Sequence, residues 1–324
     1  MEEIARNVYR HLLGNGTAVK FMSTKVTQFA DGTSDIELAG TVRGSDVFFF
    51  HSLTDPNPDT AFMQLLITGD ALARASARSI RYCLPYMSGY QRQDRKDRAH
   101  VGVTARLIWT LIEANRKVSH GITLDMHCPQ QQGFAMIPVD DFPGWKILTP
   151  HFHKLCNGDV QNYCVASADL GGLKRVRRFA EELVKIAGSD IMLPVVSMEK
   201  GRHGPNATEM YRVIGDVQGK DVIVYDDIID TAGTIISAAQ AFMGQGARSV
   251  TLAATHAVFS PSKGTTAEEK LIRAGFQVVV TNSITHSVEK LKDFHNLTVL
   301  PIDETYAKII GRTLSGESVS GMYE

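Results

Sequence analysis

A chain of 324 residues is long for one hydrophobic core and natural for two domains, and its 44% hydrophobic and 21% charged residues describe an ordinary globular protein. The formal net charge of −1 provides no chain-wide basic field that would draw in nucleic acid or anionic lipid. No apolar run reaches the length of a membrane span, and the opening Met1-Glu2-Glu3-Ile4 lacks the cationic start and apolar core of a secretory leader. Cys83, Cys128, Cys156 and Cys164 show no C-x-x-C spacing, which predicts free thiols in a reducing, cytoplasmic setting.

Strand-like and helix-like segments alternate, the pattern of an α/β protein with mostly parallel sheets. Asp46-Val47-Phe48-Phe49-Phe50 suits a buried strand. After the turn Asp55-Pro56-Asn57-Pro58, Asp59 is expected to cap a helix running to about Ala75, and Ile80 to Leu84 form the next strand. The segment Leu84 to Lys96 then mixes aromatic, guanidinium and amide groups. An Arg can stack on a purine face and a Gln can bond its edge, although a charged loop after a strand is more often simply solvated. Thr104 is expected to cap a helix whose Leu107, Ile108, Leu111 and Ile112 share one face. Thr123-Leu124-Asp125-Met126-His127 sets a His just past another strand, ahead of Gln130, Gln131, Gln132, Gly133 and Phe134; a lone His there is more often packed than metal-bound.

Turn residues at Asp141-Phe142-Pro143-Gly144-Trp145 mark the expected domain boundary. His151-Phe152-His153 has strand-like spacing for a metal clip, without a nearby acid or Cys partner. Leu173 to Ala187 is the clearest helix, with Val176, Phe179, Ala180, Leu183 and Ala187 as its apolar stripe and Gly188 as its stop. Ala71 to Ile80 is echoed by Ala241 to Val250, each a helix end, an Ala-Arg-Ser turn and a strand. Two related α/β domains in tandem would produce such a repeat, and so would chance similarity of two helix–turn–strand units.

The most informative segment is Val222 to Thr234. An apolar run ends in the acids Asp226 and Asp227; after two apolar residues come Asp230, Thr231, Ala232, Gly233 and Thr234, and then a helical stretch. Strand, small hydroxyl-rich loop and helix N-terminus form an anion cradle, with Gly233 expected to let the backbone close on the ligand. Two acids would repel a phosphate, so they are better suited to sugar hydroxyls or a metal. The parts together describe a seat for a ribose 5-phosphate, the alternative being simply a strand followed by an Asp-capped helix.

These segments resemble the ribose-phosphate pyrophosphokinase (phosphoribosyl-pyrophosphate synthetase) family. Its Pro-Tyr…Tyr-x-Arg-Gln-Asp-Arg-Lys segment is matched by Pro85 to Lys96, with one extra residue before Tyr90. Asp125 to Phe134 match its Asp-x-His…Gln-x-Gln-Gly-Phe, Asp169 to Gly172 match Asp-x-Gly-Gly, and Lys200-Gly201-Arg202 match the start of its catalytic loop. Asp226 to Thr234 and Ala254 to Ser260 follow in family order, and the resemblance runs from about Phe29 to the C-terminus.

The resemblance implies two tandem type I phosphoribosyltransferase-like domains with parallel, doubly wound sheets and the active site between them. Residues 1–145 would form the ATP side and 146–305 the ribose 5-phosphate side, with 306–324 packing on the N-terminal domain. It also implies pyrophosphoryl transfer from Mg-ATP to the 1-hydroxyl of ribose 5-phosphate. Arg92, Gln93 and Asp94 would bind ATP, with Phe29 and Asp31 reaching adenine from a neighbouring subunit of a homo-oligomer built from dimers, commonly a hexamer. His127 and Asp169 would hold Mg²⁺, Lys200 and Arg202 would close over the transferring phosphates, Asp226 and Asp227 would take ribose hydroxyls, and Asp230, Thr231, Ala232, Gly233 and Thr234 the 5-phosphate. Arg43, Ser318 and Ser320 match parts of the family's allosteric phosphate or ADP site.

The chain departs from the pattern at Thr33, where a Glu is usual near the adenine, and at Ala99 to Val103, which replace Ser-Arg-Glu-Pro-Ile beside the allosteric site. The glycines of Glu199 to Pro205 imply a mobile lid. Three other readings share parts of the pattern: the same chemistry on another acceptor such as ADP-ribose, a silent regulatory subunit, and a phosphoribosyltransferase. The silent subunit is disfavoured by the presence of Lys200, Arg202, His127 and Asp227, and the transferase has no use for Arg92-Gln93.

Overall fold

Short apolar runs bounded by turn residues become parallel strands, as the alternating pattern requires. The computed structural model describes residues 1–92, 96, 99–201, 210–262 and 264–322. Two units divide the chain, Met1–Pro143 with Ile302–Glu324, and Gly144–Pro301.

In the first unit, α1 (Glu2–Gly14) precedes an antiparallel hairpin of β1 (Thr24–Gln28) and β2 (Ser34–Leu38). Then follow β3 (Asp46–Phe50), α2 (Pro58–Arg74), β4 (Ser79–Leu84), α3 (Thr104–Glu113), β5 (Val118–Leu124) and β6 (Val139–Phe142). The four strands after the hairpin pair in parallel, in the order β3-β4-β5-β6. Phe62, Leu65 and Leu72 of α2 pack with Ile80, Tyr82 and Leu84 of β4 and with Ile108, Trp109 and Ile112 of α3.

Two helix starts differ from the sequence expectation. The cap of α2 is Asn57, whose Oδ1 accepts the Thr60 N–H at 3.0 Å; Pro58 supplies the first helical position, and Asp59 instead accepts the Tyr90 hydroxyl. Before α3 the cap position is Val103, without a side-chain cap bond. The inward face of α3 is Ala105, Ile108, Trp109 and Ile112, while Leu107 and Leu111 are 55% and 38% exposed. The fully buried indole of Trp109 is the largest apolar group on the helix, and burying it turns Leu107 and Leu111 outward.

The second unit holds α4 (Trp145–Leu155), β7 (Tyr163–Ser167), α5 (Leu173–Ala187), β8 (Val195–Gly201), β9 (Met210–Ile214) and β10 (Asp221–Ile229). It continues through α6 (Gly233–Gly244), β11 (Ser249–Ala257), α7 (Ala267–Ala274), β12 (Gln277–Thr281), α8 (Val288–Leu291) and β13 (Leu297–Leu300). The strand order is β13-β12-β11-β10-β7-β8-β9, parallel except for β9. His151 and His153 lie on α4, where a two-residue step turns about 200° around the axis and sends the imidazoles apart, so the strand-spaced clip does not form. Val176, Phe179, Ala180 and Leu183 of the α5 stripe are buried as their spacing predicts, Ala187 in the last turn is partly buried, and Gly188 ends the helix at φ 60°. No helix among the described residues is long and apolar enough to cross a membrane.

After the second unit the chain returns to the first as α9 (Asp303–Ser315). Tyr306 of α9 meets Phe50 at a ring distance of 5.3 Å, and His11 Nε2 lies 3.3 Å from Asp303 Oδ2.

The sequence echo is a structural repeat at one corner of each unit. At the β3–β4 corner Arg78 pairs with Asp46, and the Ser79 hydroxyl donates to Asp46 at 2.6 Å. At the β10–β11 corner Arg248 pairs with Asp221, and the Ser249 hydroxyl donates to Asp221 at 2.7 Å. The backbone agrees as well: Arg78 N–H donates to Ser45 O at 2.9 Å and Arg248 N–H to Lys220 O at 2.8 Å. In both corners an Asp at the start of one strand is clamped by the Arg-Ser that opens its neighbour.

The first core gives a direct stability test. A Cβ added at Gly69 of α2 would lie 2.1 Å from the hydroxyl of buried Tyr82, whose ring is held edge-on against Phe49. Gly69→Ala is expected to cost about 3 kcal/mol through overpacking and to regain about 1 kcal/mol of helix propensity, a net loss of about 2 kcal/mol in urea unfolding.

Candidate active site

In the second unit the chain runs from β7 outward to β8, then returns to β10 and proceeds the other way through β11, β12 and β13. The topological switch point therefore lies between β7 and β10, where doubly wound sheets bind ligands at the carboxyl ends of their strands. Pairing of β10 with β7 ends at Val224↔Ala166, while β10 continues through Asp226 and Asp227 to Ile229. The acids thus sit within the strand, on the part that outruns its neighbour.

Successive side chains of a strand face opposite sides, so two adjacent acids need a reaching partner to act together. Arg175 from α5 is that partner. Its Nη1 lies 3.0 Å from Asp226 Oδ1 and its Nη2 3.2 Å from Asp227 Oδ2, so one guanidinium fork bridges both carboxylates across the switch point. Asp226 Oδ1 also accepts the Asp227 N–H at 2.9 Å. Burial and the neighbouring Asp227 carboxylate push the Asp226 carboxyl well above the ordinary range, and Arg175 opposes them. Arg175 is absent from the sequence expectations; the only local signal is the basic first turns of α5, with Lys174, Arg177 and Arg178, which read equally well as a solvated face.

After Ile229 the loop Asp230-Thr231-Ala232 enters α6. The left-handed residue is Ala232 (φ 62°, ψ −6°), and Gly233 is already the first helical residue. The sharp turn into the helix is thus made by a buried alanine, a conformation that costs an L-residue about 1 kcal/mol. Gly233 contributes openness instead, because a Cβ there would meet nothing within 4 Å. Two carbonyls of this entry are tied by the segment after β11: Ile229 O accepts Val258 and Phe259 N–H at 2.9 and 3.1 Å, and Asp230 O accepts Ser260 N–H at 3.1 Å.

Asp169 stands just after β7, on the other side of the switch point. Its Oδ1 accepts the Gly172 N–H at 3.0 Å and its own N–H donates to Ser167 Oγ at 3.4 Å. Gly172 is required here, since a Cβ would lie 2.2 Å from Ser167 Oγ. A hydrogen-bonded carboxylate at a strand end suits a hard cation such as Mg²⁺.

In the first unit the candidate residues follow β4 and β5, which are neighbours. After β4 a 3₁₀ turn, Ser88–Arg92, carries Tyr90, Gln91 and Arg92, and the Tyr90 ring rests 5.7 Å from Phe62. After β5, Asp125 adopts φ 47° and donates its N–H to Phe142 O at 2.8 Å. Asp141 Oδ1 holds the next peptide, accepting the Met126 N–H at 3.0 Å and the Thr123 hydroxyl at 3.1 Å. His127 is exposed, and its N–H reaches the buried Gln91 side chain at 3.4 Å. Gln91 therefore joins the turns that carry Arg92 and His127, a link with no sequence signal.

Phe29 and Asp31 form the tip of the β1–β2 hairpin, where Phe29 is 57% exposed and the Thr33 N–H holds the Asp31 carboxyl below its usual range. Arg43 lies between β2 and β3; Ser318 and Ser320, beyond α9, share a 2.8 Å hydroxyl contact. Among the described residues no hydrogen bond joins Arg43 to either serine, and no group of three or more His, Cys, Asp or Glu gathers as a metal cluster. Gln93, Asp94 and Arg202 lie outside the described residues. Glu199 to Gly201, expected in the lid, continue β8 and pair with β9, Lys200 opposite Tyr211.

Comparison with known proteins bears on the whole chain. Residues 1–115 match a family described as the N-terminal domain of ribose phosphate pyrophosphokinase, and residues 192–324 one described as a phosphoribosyl synthetase-associated domain. A ribose-phosphate pyrophosphokinase of Wolinella succinogenes is 38% identical, with 94% of this chain and 92% of the relative covered. One from Staphylococcus epidermidis is 37% identical over 100% of this chain and 94% of its own length. The crystal structure of phosphoribosylpyrophosphate synthetase from Mycobacterium smegmatis superposes with a TM-score of 0.82 at 32% identity, covering 97% of this chain and 96% of that one.

Proposed function

The chain belongs to the ribose-phosphate pyrophosphokinase family, and on that premise we propose that it transfers the β,γ-pyrophosphoryl group of ATP to the 1-hydroxyl of ribose 5-phosphate, giving 5-phosphoribosyl 1-pyrophosphate and AMP. The observation that carries the reading is the coincidence, at one switch point, of an Arg-bridged acid pair, a hydroxyl-bearing loop and the N-terminus of α6. Relatives that share this chemistry match the chain over nearly its full length, which favours ribose 5-phosphate over ADP-ribose and over a silent subunit.

In the transfer the O1–Pβ bond forms as the Pα–O–Pβ bridge breaks, AMP leaves and the hydroxyl proton passes to solvent. Positioning and charge neutralisation supply most of the catalysis in such steps. Asp226 and Asp227 accept the ribose hydroxyls, and Asp230 to Thr234 receive the 5-phosphate through backbone N–H groups, the threonine hydroxyls and the α6 dipole. Arg175 holds the two carboxylates in place and offsets their mutual repulsion. Arg92, Gln93 and Asp94, with Phe29 and Asp31, bind ATP, while Lys200 and Arg202 act on the transferring phosphates. Asp169 would hold Mg²⁺ directly and His127, a less usual partner for that cation, through water. The chemistry a bound Mg²⁺ would supply is neutralisation of the triphosphate charge.

A homo-oligomer assembled from dimers in the cytoplasm, with phosphate or ADP control through Arg43, Ser318 and Ser320, belongs to the same proposal. The exposed Phe29 at the hairpin tip supports the subunit contact.

Incubation with Mg-ATP and either ribose 5-phosphate or ADP-ribose, with products identified by mass, tests the reading. AMP and 5-phosphoribosyl 1-pyrophosphate are expected from ribose 5-phosphate; a product from ADP-ribose alone would overturn it. Asp227→Asn removes a charged acceptor and is expected to raise KM for ribose 5-phosphate by roughly 10- to 100-fold while leaving KM for ATP unchanged in steady-state assays.

A further inference from the structure

One cation in the second unit touches the phosphate loop without belonging to any of its motifs. Lys270, half-buried on α7, places its Nζ 3.2 Å from the carbonyl oxygen of Thr231, across 39 residues of sequence. The helix that carries it is firmly anchored. Thr266 and Glu269 close a capping box at its start, Glu268 is buried and pairs with Lys290 at 2.9 Å, and Gly275 ends it in the left-handed conformation.

With this contact, three consecutive carbonyls of the loop are held from one side. Ile229 O and Asp230 O accept N–H groups of Val258, Phe259 and Ser260, and Thr231 O accepts the Lys270 ammonium. A trans peptide sets each carbonyl opposite the following N–H. Tying these carbonyls toward the β11–α7 segment therefore aims the N–H groups of Asp230, Thr231 and Ala232 the other way, as a concave set of donors leading into α6. Of the three ties, only that of the Thr231–Ala232 peptide is made by a side chain, and this peptide enters the left-handed Ala232.

We propose that Lys270 is a positioning residue of the acceptor's phosphate seat: it locks the Thr231–Ala232 peptide with its N–H toward the phosphate. The inference rests on the ribose 5-phosphate reading above. It makes Lys270 specific for the anionic end of the acceptor, with no part in ATP binding or in the chemical step.

The test uses the full chain with Lys270→Met, which keeps the apolar stem, and Lys270→Arg, which keeps the donor. Steady-state kinetics for both substrates are combined with calorimetric titration of ribose 5-phosphate, and thermal unfolding verifies that each variant is folded. Loss of one charge-assisted hydrogen bond should raise both KM and Kd for ribose 5-phosphate by roughly 10- to 100-fold in Lys270→Met. KM for ATP and kcat at saturating acceptor should stay unchanged, and Lys270→Arg should restore most of the acceptor affinity. An unchanged Kd for ribose 5-phosphate in Lys270→Met, or equal losses for both substrates, would overturn the proposal. If the wild-type protein bound ribose 5-phosphate but made no AMP from it, the function reading would fail alone, and the Kd comparison would still decide the role of Lys270.

Discussion

Replacing Lys200 by alanine is expected to lower turnover by roughly 10²- to 10³-fold, the scale observed when a donor to a charged transition state is removed. Lys200 is one residue from the end of β8, beside the edge strand β9. A role confined to the transferring phosphates predicts that the substitution changes stability by no more than about 0.5 kcal/mol. The loss should fall on kcat, because contacts with the transferring phosphates strengthen as charge develops on them, and KM for either substrate should move far less. Steady-state kinetics together with a thermal melt separate the two effects. Near-normal turnover of a folded Lys200→Ala protein would remove Lys200 from the catalytic assignment.

The largest stability effect is expected at Arg175. Arg175→Ala would leave Asp226 and Asp227 adjacent and largely shielded, with their shared counter-charge gone. Breaking a buried ion pair from one side costs about 3 kcal/mol at neutral pH. The pH dependence follows from the direction of the Asp226 shift. Its folded-state affinity for a proton is already raised by burial and by Asp227, and losing Arg175 raises it further. Between the ordinary carboxylate pKa of about 4 and the raised folded value, the native state binds more protons than the unfolded state, so stability falls as pH rises through that window. The deficit of Arg175→Ala relative to wild type should therefore be largest at neutral pH and shrink as pH falls toward about 4. Urea unfolding at neutral and mildly acidic pH measures it. A deficit independent of pH would mean that Arg175 acts through packing alone, and a deficit that grew on acidification would contradict the charge argument outright.

Much of the architecture is written in local pattern. The strand runs, the α5 stripe with Gly188 behind it, and the echo between Ala71–Ile80 and Ala241–Val250 each depend on residues a few positions apart, and short-range periodicity specifies them. The order of the motifs likewise led to the family, because the residue types that a phosphate loop or an acid pair requires are contiguous in sequence. Tertiary structure decided everything that depended on a distant partner. Asn57 is the cap and Asp59 meets Tyr90 instead, and the buried Trp109 sets the face of α3 from which Leu107 and Leu111 turn outward. The left-handed turn falls on Ala232, whose side chain is packed in the core between β10 and α6, while Gly233 is already helical. Arg175 reaches Asp226 across 51 residues and Lys270 reaches Thr231 across 39. Such contacts leave no periodic trace: a basic residue on a helix surface has the same local sequence whether it faces water or a carboxylate from another strand, and only the packing of α5 and α7 against β10 and its loop distinguishes the two.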